Sequence, residues 1–203
     1  MKKSLLAKSV VCVCLFLIFS LTEVFASPPN HESDFFMRAS VSCGFAQTEY
    51  SDPIAMKYSG PGGGFECSIG YGVLPNLVLH GTYLAWFIFG PTLEARGFSE
   101  DISGFLDLSA FGIGITYYIM PINIYISSLV GLGSLSLTSE GFIGETEMGL
   151  VFDVTLGKEI FVSYLGGIGV AGTFGYHSIP EAGDIEEKWD GYNIGVKISY
   201  TLY

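Results

Sequence analysis

Apolar and polar residues alternate along much of this 203-residue chain, and this period of two constrains its fold more than any other feature. The stretch 62–83, "GGGFECSIGYGVLPNLVLHGTY", shows the pattern clearly. One row of its side chains is apolar: Phe65, Cys67, Ile69, Tyr71 and Val73. A period of two places successive side chains on opposite faces of a β-strand. The sequence therefore predicts strands with one apolar face and one polar or small face.

The first 26 residues have the features of an export signal. Lys2, Lys3 and Lys8 precede an apolar run over 10–21, and Val24-Phe25-Ala26 supplies the small residues of a cleavage site. The run is shorter than the ~18 to 20 apolar residues of a spanning helix. We interpret residues 1–26 as a signal peptide, with an uncleaved anchor as the alternative, and residues 27–203 as one domain.

The remaining chain is apolar and acidic. Hydrophobic residues make up 49% of the sequence and charged residues only 14%, which is little charge for the surface of a secreted globular protein. Removal of the predicted signal, with three lysines and one glutamate, changes the formal charge from −11 to −13. Nucleic acid is therefore not expected as a partner, because phosphate backbones are bound by Lys and Arg.

The alternation predicts eight strands separated by turn residues. They cover 35–50, 63–73, 77–89, 106–119, 123–137, 149–157, 165–176 and 191–203. The connections alternate in length, with short turns at 74–76, 120–122 and 158–163. The longer connections carry Pro, Gly and many acids, and they cover 51–62, 90–105, 138–148 and 177–190.

Short turns at one end and long loops at the other are typical of an up-and-down barrel in the bacterial outer membrane. We therefore predict an all-β fold, an eight-stranded antiparallel transmembrane β-barrel. Closure satisfies every backbone hydrogen bond, so the apolar rows can face lipid. The first and last strands would point these residues outward: Met37, Ala39, Val41, Cys43, Phe45, Ile194, Val196, Ile198, Tyr200 and Leu202.

Aromatic residues cluster near both ends of the predicted strands, as expected at the two membrane interfaces. The set near the short turns is Phe35, Phe36, Tyr117, Tyr118, Tyr125, Phe161, Tyr164 and Tyr203. The set near the long loops is Tyr50, Trp86, Phe87, Phe105, Phe174, Tyr176, Trp189 and Tyr192.

Several stretches resemble a known group of small barrels. They are "NLVLHG" (76–81), "TYYIMPINIY" (116–125), "LGKEIFVS" (156–163) and "GIGVAG" (167–172). The chain resembles the outer membrane protein beta-barrel domain group, which includes OmpA-, OmpX- and OmpW-like proteins. One departure concerns the C-terminus: such barrels commonly end with an outward aromatic residue, whereas here Leu202 ends the outward row and Tyr203 is out of phase.

Five charged or titratable residues occupy the alternate strand positions that are predicted to face the barrel lumen, which we call lumen parity: Arg38, Glu66, His80, Asp153 and Lys197. Burial of a charge requires pairing or hydration. We expect these side chains to fill the lumen and to form hydrogen bonds, with a conducting path as the alternative. The sequence does not predict that the five residues form one connected network. Leu84, Trp86 and Ile88 have lumen parity near the outer end, where they would form an apolar recess or ordinary filling.

No motif predicts an enzyme or a cofactor. "GIGVAG" matches the letters of a dinucleotide-binding loop, but the strand continues where that motif requires a helix. His177-Ser178 opens the last predicted loop and offers only weak support for lipid-directed catalysis. We predict no catalytic residues, no cofactor site and no dedicated metal site, although the acidic loops could bind divalent cations loosely.

Cys43 and Cys67 are the only cysteines after the predicted signal. They lie on consecutive strands with the same outward parity, directly opposite if the hairpin centre falls at residue 55. The export compartment permits a disulfide, and opposed strand residues satisfy its geometry. Two free thiols on the lipid face are the other possibility, because cysteine packs readily as a hydrophobic residue.

The sequence thus predicts an integral protein of the bacterial outer membrane, with a structural or surface-interaction role and both termini in the periplasm. Its expected partners are outer-membrane lipid, lipopolysaccharide and, during biogenesis, the assembly machinery; we expect a monomer. One alternative is a narrow channel or OmpW-like transporter of small apolar molecules. A second is a secreted lipocalin-like binder, whose faces would be reversed, with apolar residues inside and polar residues outside.

Overall fold

The computed structural model describes residues 35–50, 55–95, 97–120, 122–139, 142–163, 166–181 and 184–203. The predicted signal peptide and its cleavage site lie outside the described residues. Within these ranges no helix is long and apolar enough to cross a bilayer. The strands are β1 (Phe35–Tyr50), β2 (Met56–Leu74), β3 (Leu77–Phe89), β4 (Thr92–Ala95), β5 (Phe98–Asp101), β6 (Gly104–Ile119), β7 (Ile124–Ser139), β8 (Phe142–Glu145), β9 (Gly149–Ser163), β10 (Gly166–Glu181) and β11 (Asp184–Leu202).

Eight of these strands form a closed barrel. Strand β1 pairs with β2 on one side and with β11 on the other, so the sheet has no free edge along its length. Around the wall the order is β1, β2, β3, β6, β7, β9, β10 and β11, and every pair is antiparallel. The predicted eight-stranded up-and-down barrel is confirmed.

The two faces of the wall have the polarity predicted from the alternation. Large apolar side chains are exposed on the outside, and the most exposed of them is Ile113, with 78% of its surface accessible. On β11, Ile194, Ile198 and Tyr200 face out, whereas Asn193 and Lys197 are buried inside. This apolar exterior is suited to lipid and is the reverse of the lipocalin-like arrangement, which the structure contradicts.

The short connections lie together at one end of the barrel, called here the turn end. They join β2 to β3, β6 to β7 and β9 to β10, and the start of β1 and the end of β11 lie beside them. The turn predicted at 158–163 is wrong, because β9 continues through Ser163. Asn123 adopts a positive φ of 55° in the second turn, a conformation that Asn accepts more readily than most residues.

The opposite end, called here the loop end, differs from the prediction at all four of its connections. Strand β2 begins at Met56 rather than at 63, and β10 and β11 extend until only 182–183 separate them, so the long loop predicted at 177–190 is wrong. The connection after β3 contains the β4–β5 hairpin, which pairs with β2, and the connection after β7 contains β8.

The register of β1 on β2 excludes the predicted disulfide possibility. Cys43 lies opposite Gly63, and Cys67 lies opposite Ala39, so the two cysteines are four residues apart along the hairpin. That offset is about 13 Å at ~3.3 Å per residue, well beyond the ~7 Å limit between bridged Cα atoms. Both cysteines are free.

Candidate functional site in the barrel interior

The interior at the turn end is organised around Arg38 on β1. Its guanidinium forms an ion pair with Glu159 on β9 at 3.1 Å and donates a hydrogen bond to Thr201 Oγ1 at 3.0 Å. A further hydrogen bond joins Arg38 to the hydroxyl of Tyr118 on β6. Arg38 is 3% exposed and Glu159 is fully buried, so each charge depends on the other for compensation.

Tyr203, the out-of-phase terminal residue, contributes to the same cluster. Its hydroxyl donates to Glu159 Oε1 at 2.6 Å and lies 2.9 Å from the Tyr118 hydroxyl. The ring packs near Phe36 and Phe161, with centroid distances of 6.1 and 5.7 Å. Tyr203 therefore closes the turn end from inside. We call the set Phe36, Arg38, Tyr118, Tyr125, Glu159, Phe161, Thr201 and Tyr203 the arginine layer.

Half-way up the barrel, Lys197 on β11 meets two carboxylates. Its Nζ lies 2.5 Å from Glu66 Oε2 on β2 and 3.7 Å from Asp153 Oδ1 on β9, and it donates to Thr155 Oγ1 at 2.9 Å. Thr173 on β10 donates to both carboxylate oxygens of Asp153. One ammonium and two carboxylates thus leave a formal charge of −1, stabilised by threonine hydroxyls.

Polar contacts continue from Glu66 around the opposite side of the barrel. Ser68 Oγ lies 3.4 Å from Glu66 Oε1 and 2.8 Å from Thr82 Oγ1. His80 bridges Thr82 and Thr116 through its two ring nitrogens, at 2.7 and 3.0 Å, and Thr116 donates to Ser127 at 2.9 Å. We call the set Glu66, Ser68, His80, Thr82, Thr116, Ser127, Asp153, Thr155, Thr173 and Lys197 the lysine layer.

Glycines on the inner face make room for these side chains. A Cβ added at Gly167 would lie 2.4 Å from Glu159 Oε1, and one at Gly169 would lie 2.3 Å from Ser199 Oγ. Gly172 faces outward, with nothing within 4 Å of its added Cβ. The glycines of "GIGVAG" therefore belong to a strand, as the absence of a following helix predicts, and Gly167 and Gly169 make room for interior side chains.

Above the lysine layer the interior becomes apolar. Trp86 on β3 crosses the lumen and packs against Gly62 and Gly64 on β2 and Gly195 on β11. Buried aliphatic side chains surround it: Leu84, Ile88, Leu106, Leu108, Leu129, Leu135, Val151 and Ile179. The predicted interior positions of Leu84, Trp86 and Ile88 are confirmed. We call these residues together with Trp86 the apolar layer.

A recess of about 220 Å³ opens above the apolar layer at the loop end. Its rim includes Glu145, Glu181 and Trp189, and its floor includes Leu106 and Leu135. Trp189 packs against Tyr50 at a centroid distance of 4.9 Å, with the rings tilted by 33°, and it donates a hydrogen bond to Glu181. The loop end is therefore the side of the barrel that offers space to a ligand.

The His177-Ser178 pair does not form a nucleophile and base. His177 is 4% exposed and its Nε2 lies 3.0 Å from Thr48 Oγ1 inside the barrel, whereas Ser178 belongs to the opposite face of β10. The expectation that these residues stand in an exposed loop is wrong, because β10 continues through both. Among the described residues no group of three or more His, Cys, Asp or Glu side chains could hold a metal ion.

All five charged residues selected from the sequence lie in the interior, but they divide between two layers. Arg38 belongs to the arginine layer, whereas Glu66, His80, Asp153 and Lys197 are connected within the lysine layer. Glu159 was missed because it fell inside the predicted turn at 158–163. Its parity with Asp153 and Thr155 was the signal that could have identified it.

Part of the predicted aromatic belts is also inside rather than at the membrane interface. Tyr117, Tyr176 and Tyr192 are exposed on the outer wall, as predicted. The interior set is Phe36, Tyr50, Trp86, Tyr118, Tyr125 and Phe161. These six have lumen parity, so the alternation and not their height along the strand decides where each ring lies. Tyr164 lies outside the described residues.

Comparison with solved structures agrees with this architecture. Neisserial surface protein A is similar over 83% of this chain and 96% of its own, with 14% identity and a TM-score of 0.59. The chain has the fold of a small outer-membrane β-barrel. Its closed wall and apolar exterior, together with this fold, place the protein in the bacterial outer membrane.

Two further structures align over most of the chain with lower similarity. The outer membrane protease OmpT from Escherichia coli covers 89% of this chain and 99% of its own, with 10% identity and a TM-score of 0.42. The outer membrane protein OprG from Pseudomonas aeruginosa covers 84% and 97%, with 13% identity and a TM-score of 0.41. No protein-family model matches the sequence, and no curated protein matches it.

Proposed function

We propose that the protein is a non-conducting barrel with a structural and surface-interaction role in the outer membrane. The observation that carries the proposal is the filling of the lumen by two successive layers. In the lysine layer, Lys197 reaches from β11 to Glu66 on β2 and to Asp153 on β9. In the arginine layer, Arg38 and Tyr203 meet Glu159. An eight-stranded barrel is narrow enough for side chains to fill it in this way.

The charge of the loop end supports a surface role. Among the residues whose exposure the structure describes, its exposed acids are Glu49, Glu94, Glu100, Asp101, Glu145, Glu147 and Asp190. Nearby positive charge includes Lys57, which lies 3.5 Å from Glu94, and the exposed Lys188. An acidic surface favours encounter with partners that carry positive charge and disfavours polyanions. We therefore propose a basic partner at the cell surface, with the loop end outside and both termini in the periplasm.

We also propose the partners and the oligomeric state that the sequence predicts. Outer-membrane lipid and lipopolysaccharide would contact the apolar wall, the assembly machinery would act during insertion, and the mature barrel would be a monomer. The closed sheet supports the monomer, because it leaves no strand edge along the barrel for a second copy to pair with.

Planar-bilayer recording tests the absence of conduction. The refolded chain should add no steady conductance to the bare bilayer, while its compact migration on unheated gels shows that it is folded. A variant with Arg38→Ala, Lys197→Ala and Trp86→Ala removes the centre of the arginine, lysine and apolar layers and should conduct, which shows that insertion is detected. Steady conductance from the wild type would overturn the proposal.

Protease accessibility tests the orientation independently. Proteinase K added to intact cells should cut within 90–103, the connection at the loop end that contains the β4–β5 hairpin. The turn at 75–76 should be cut only after the cells are opened. The opposite pattern would place the acidic loop end in the periplasm and remove the proposed surface role.

Passage of small apolar molecules is the second candidate, and the recess at the loop end favours it. Its walls include Leu106, Leu135 and Leu137. Transport would require an exit through the wall or past the lysine layer. Uptake of a labelled apolar solute by proteoliposomes, at a rate above that of empty liposomes, would support transport and contradict a purely structural role.

A further inference from the structure

A small cavity lies directly beneath the recess at the loop end. Its volume is about 20 Å³, and its lining includes Trp86, His177 and Asn193 as well as Leu106 and Leu135. The same two leucines form the floor of the recess above. A single water or hydroxyl group needs about 10 to 15 Å³. The cavity therefore has room for one small polar group, and Leu106 and Leu135 border both it and the recess.

Three polar atoms of the cavity-lining residues have no hydrogen-bond partner in the part of the chain that the structure describes. They are Trp86 Nε1, His177 Nδ1 and Asn193 Oδ1. Their side chains are 3%, 4% and 3% exposed, respectively. Buried polar atoms are normally paired, and an unpaired one is destabilising. The side chains that carry this donor, this acceptor and this ring nitrogen line one cavity, which a ligand with a hydroxyl group could complete.

The charges on the path to this cavity restrict the ligand. Glu145 and Glu181 line the recess, so a carboxylate or phosphate would meet like charge on entry. Among the described residues no Asp or Glu lines the small cavity itself, so a cationic head would be desolvated there without compensation. A neutral hydroxyl fits: it accepts from the Trp86 N–H and donates to Asn193 Oδ1 or His177 Nδ1.

We propose that the loop end binds a neutral apolar molecule with one hydroxyl group, inserted head-first so that the hydroxyl reaches Trp86 and Asn193. The apolar body occupies the recess and passes between Leu106 and Leu135. This binding site goes beyond the proposed structural and surface role, and it requires no passage through the lysine layer.

Affinity for an alcohol and for the matching alkane tests the role of the Trp86 N–H. Equilibrium dialysis of labelled 1-decanol and decane would compare nanodiscs containing the full chain with empty nanodiscs. Trp86→Phe keeps the ring but removes the donor, and it should weaken 1-decanol binding about three- to tenfold without changing decane binding. Trp189→Phe at the rim is the control and should affect both probes equally.

An equal change for both probes in Trp86→Phe, or no change, would overturn the proposal. So would retention of 1-decanol no greater than that of empty nanodiscs, which would mean that the cavity holds water only. If the dialysis result contradicts the binding site, the conductance result still stands. The binding site and the proposed function can therefore be disproved independently.

Fluorescence quenching tests the head-first orientation without altering the cavity. The chain has two tryptophans, so Trp189→Phe leaves Trp86 as the only emitter. Bromine quenches at short range; 1-decanol brominated beside the hydroxyl should therefore quench Trp86 more strongly than 1-decanol brominated at the far end. The reverse order, or equal quenching, would contradict head-first insertion.

Discussion

Lys197 on β11 lies 2.5 Å from Glu66 on β2, although β1 separates these two strands in the wall. The ion pair therefore bridges the interior instead of joining neighbouring strands. Asp153 approaches the same ammonium from β9 at 3.7 Å. This one lysine connects widely separated parts of the barrel, so its loss should affect the stability of the whole fold.

Substitution of Lys197 by Met should lower the free energy of unfolding by about 3 to 5 kcal/mol, because it leaves two buried carboxylates without their counter-ion. Urea titration of the refolded chain in lipid vesicles, followed by tryptophan emission, measures the change. The combined variant Glu66→Gln, Asp153→Asn and Lys197→Met removes all three charges and should recover most of the loss. A single variant as stable as the wild type would show that the lysine layer is not coupled to folding.

Tyr203→Phe should lower the free energy of unfolding by about 1 to 2 kcal/mol. The substitution keeps the ring beside Phe161 but removes the hydroxyl that donates to Glu159 at 2.6 Å, and hydrogen bonds to charged groups are stronger than neutral ones. Tyr200→Phe, on the outward row of β11, is the matched control and should change stability much less. Equal effects of the two variants would mean that Tyr203 contributes only its ring.

The period of two was enough to predict the barrel, its closure and the face of each strand, because side-chain direction in a strand depends only on parity. It was not enough to predict partners across the lumen. The contact of Lys197 with Glu66 depends on the relative register of β11, β1 and β2, which loop lengths and pairing set together.

The turn and the loop that were wrongly predicted from the sequence each result from the residue composition of a short segment. Lys158 interrupts the outward apolar row of β9 directly after the inward Gly157, so 158–163 resembled a turn and hid Glu159. The acids and Pro180 in 177–190 resembled a loop, although both strands extend as a hairpin beyond the apolar belt. In each case pairing with a neighbouring strand outweighed the residue preferences of a short segment.

Ile198→Arg should cost about 2 to 4 kcal/mol in a bilayer, because Ile198 is 57% exposed on the apolar wall. Unfolding titrations in lipid vesicles measure the change. Ser199→Arg is the comparison: Ser199 is buried inside, so the variant should act through crowding, in detergent as well as in lipid. If Ile198→Arg were neutral in lipid, the assignment of the outer face would be wrong.

Cys43 and Cys67 should both be free thiols in protein taken from its native membrane. Their offset of four residues in the β1–β2 register prevents a bridge without a shift of the whole hairpin. Alkylation before digestion, followed by non-reducing mass spectrometry, should find both cysteines labelled. A linked peptide containing both would show that the register of the first hairpin differs from this one.

Gly169→Val and Gly172→Val should have opposite consequences, although both glycines belong to the same strand. A side chain at Gly169 would meet Ser199 Oγ at 2.3 Å from its Cβ, whereas Gly172 faces open space outside the wall. Overpacking of an interior typically costs about 1 to 3 kcal/mol, so Gly169→Val should be destabilised by that amount.

Gly172→Val should be neutral or stabilising, because valine suits a lipid-facing strand better than glycine does. Urea titration in vesicles compares the two variants under one condition, and binding of a fluorescent dinucleotide analogue provides the second measurement. Neither the wild type nor either variant should bind the analogue if the glycines serve packing alone. Saturable binding by the wild type that Gly169→Val abolishes would contradict the packing role, and equal stability of both variants would contradict the assignment of faces on β10.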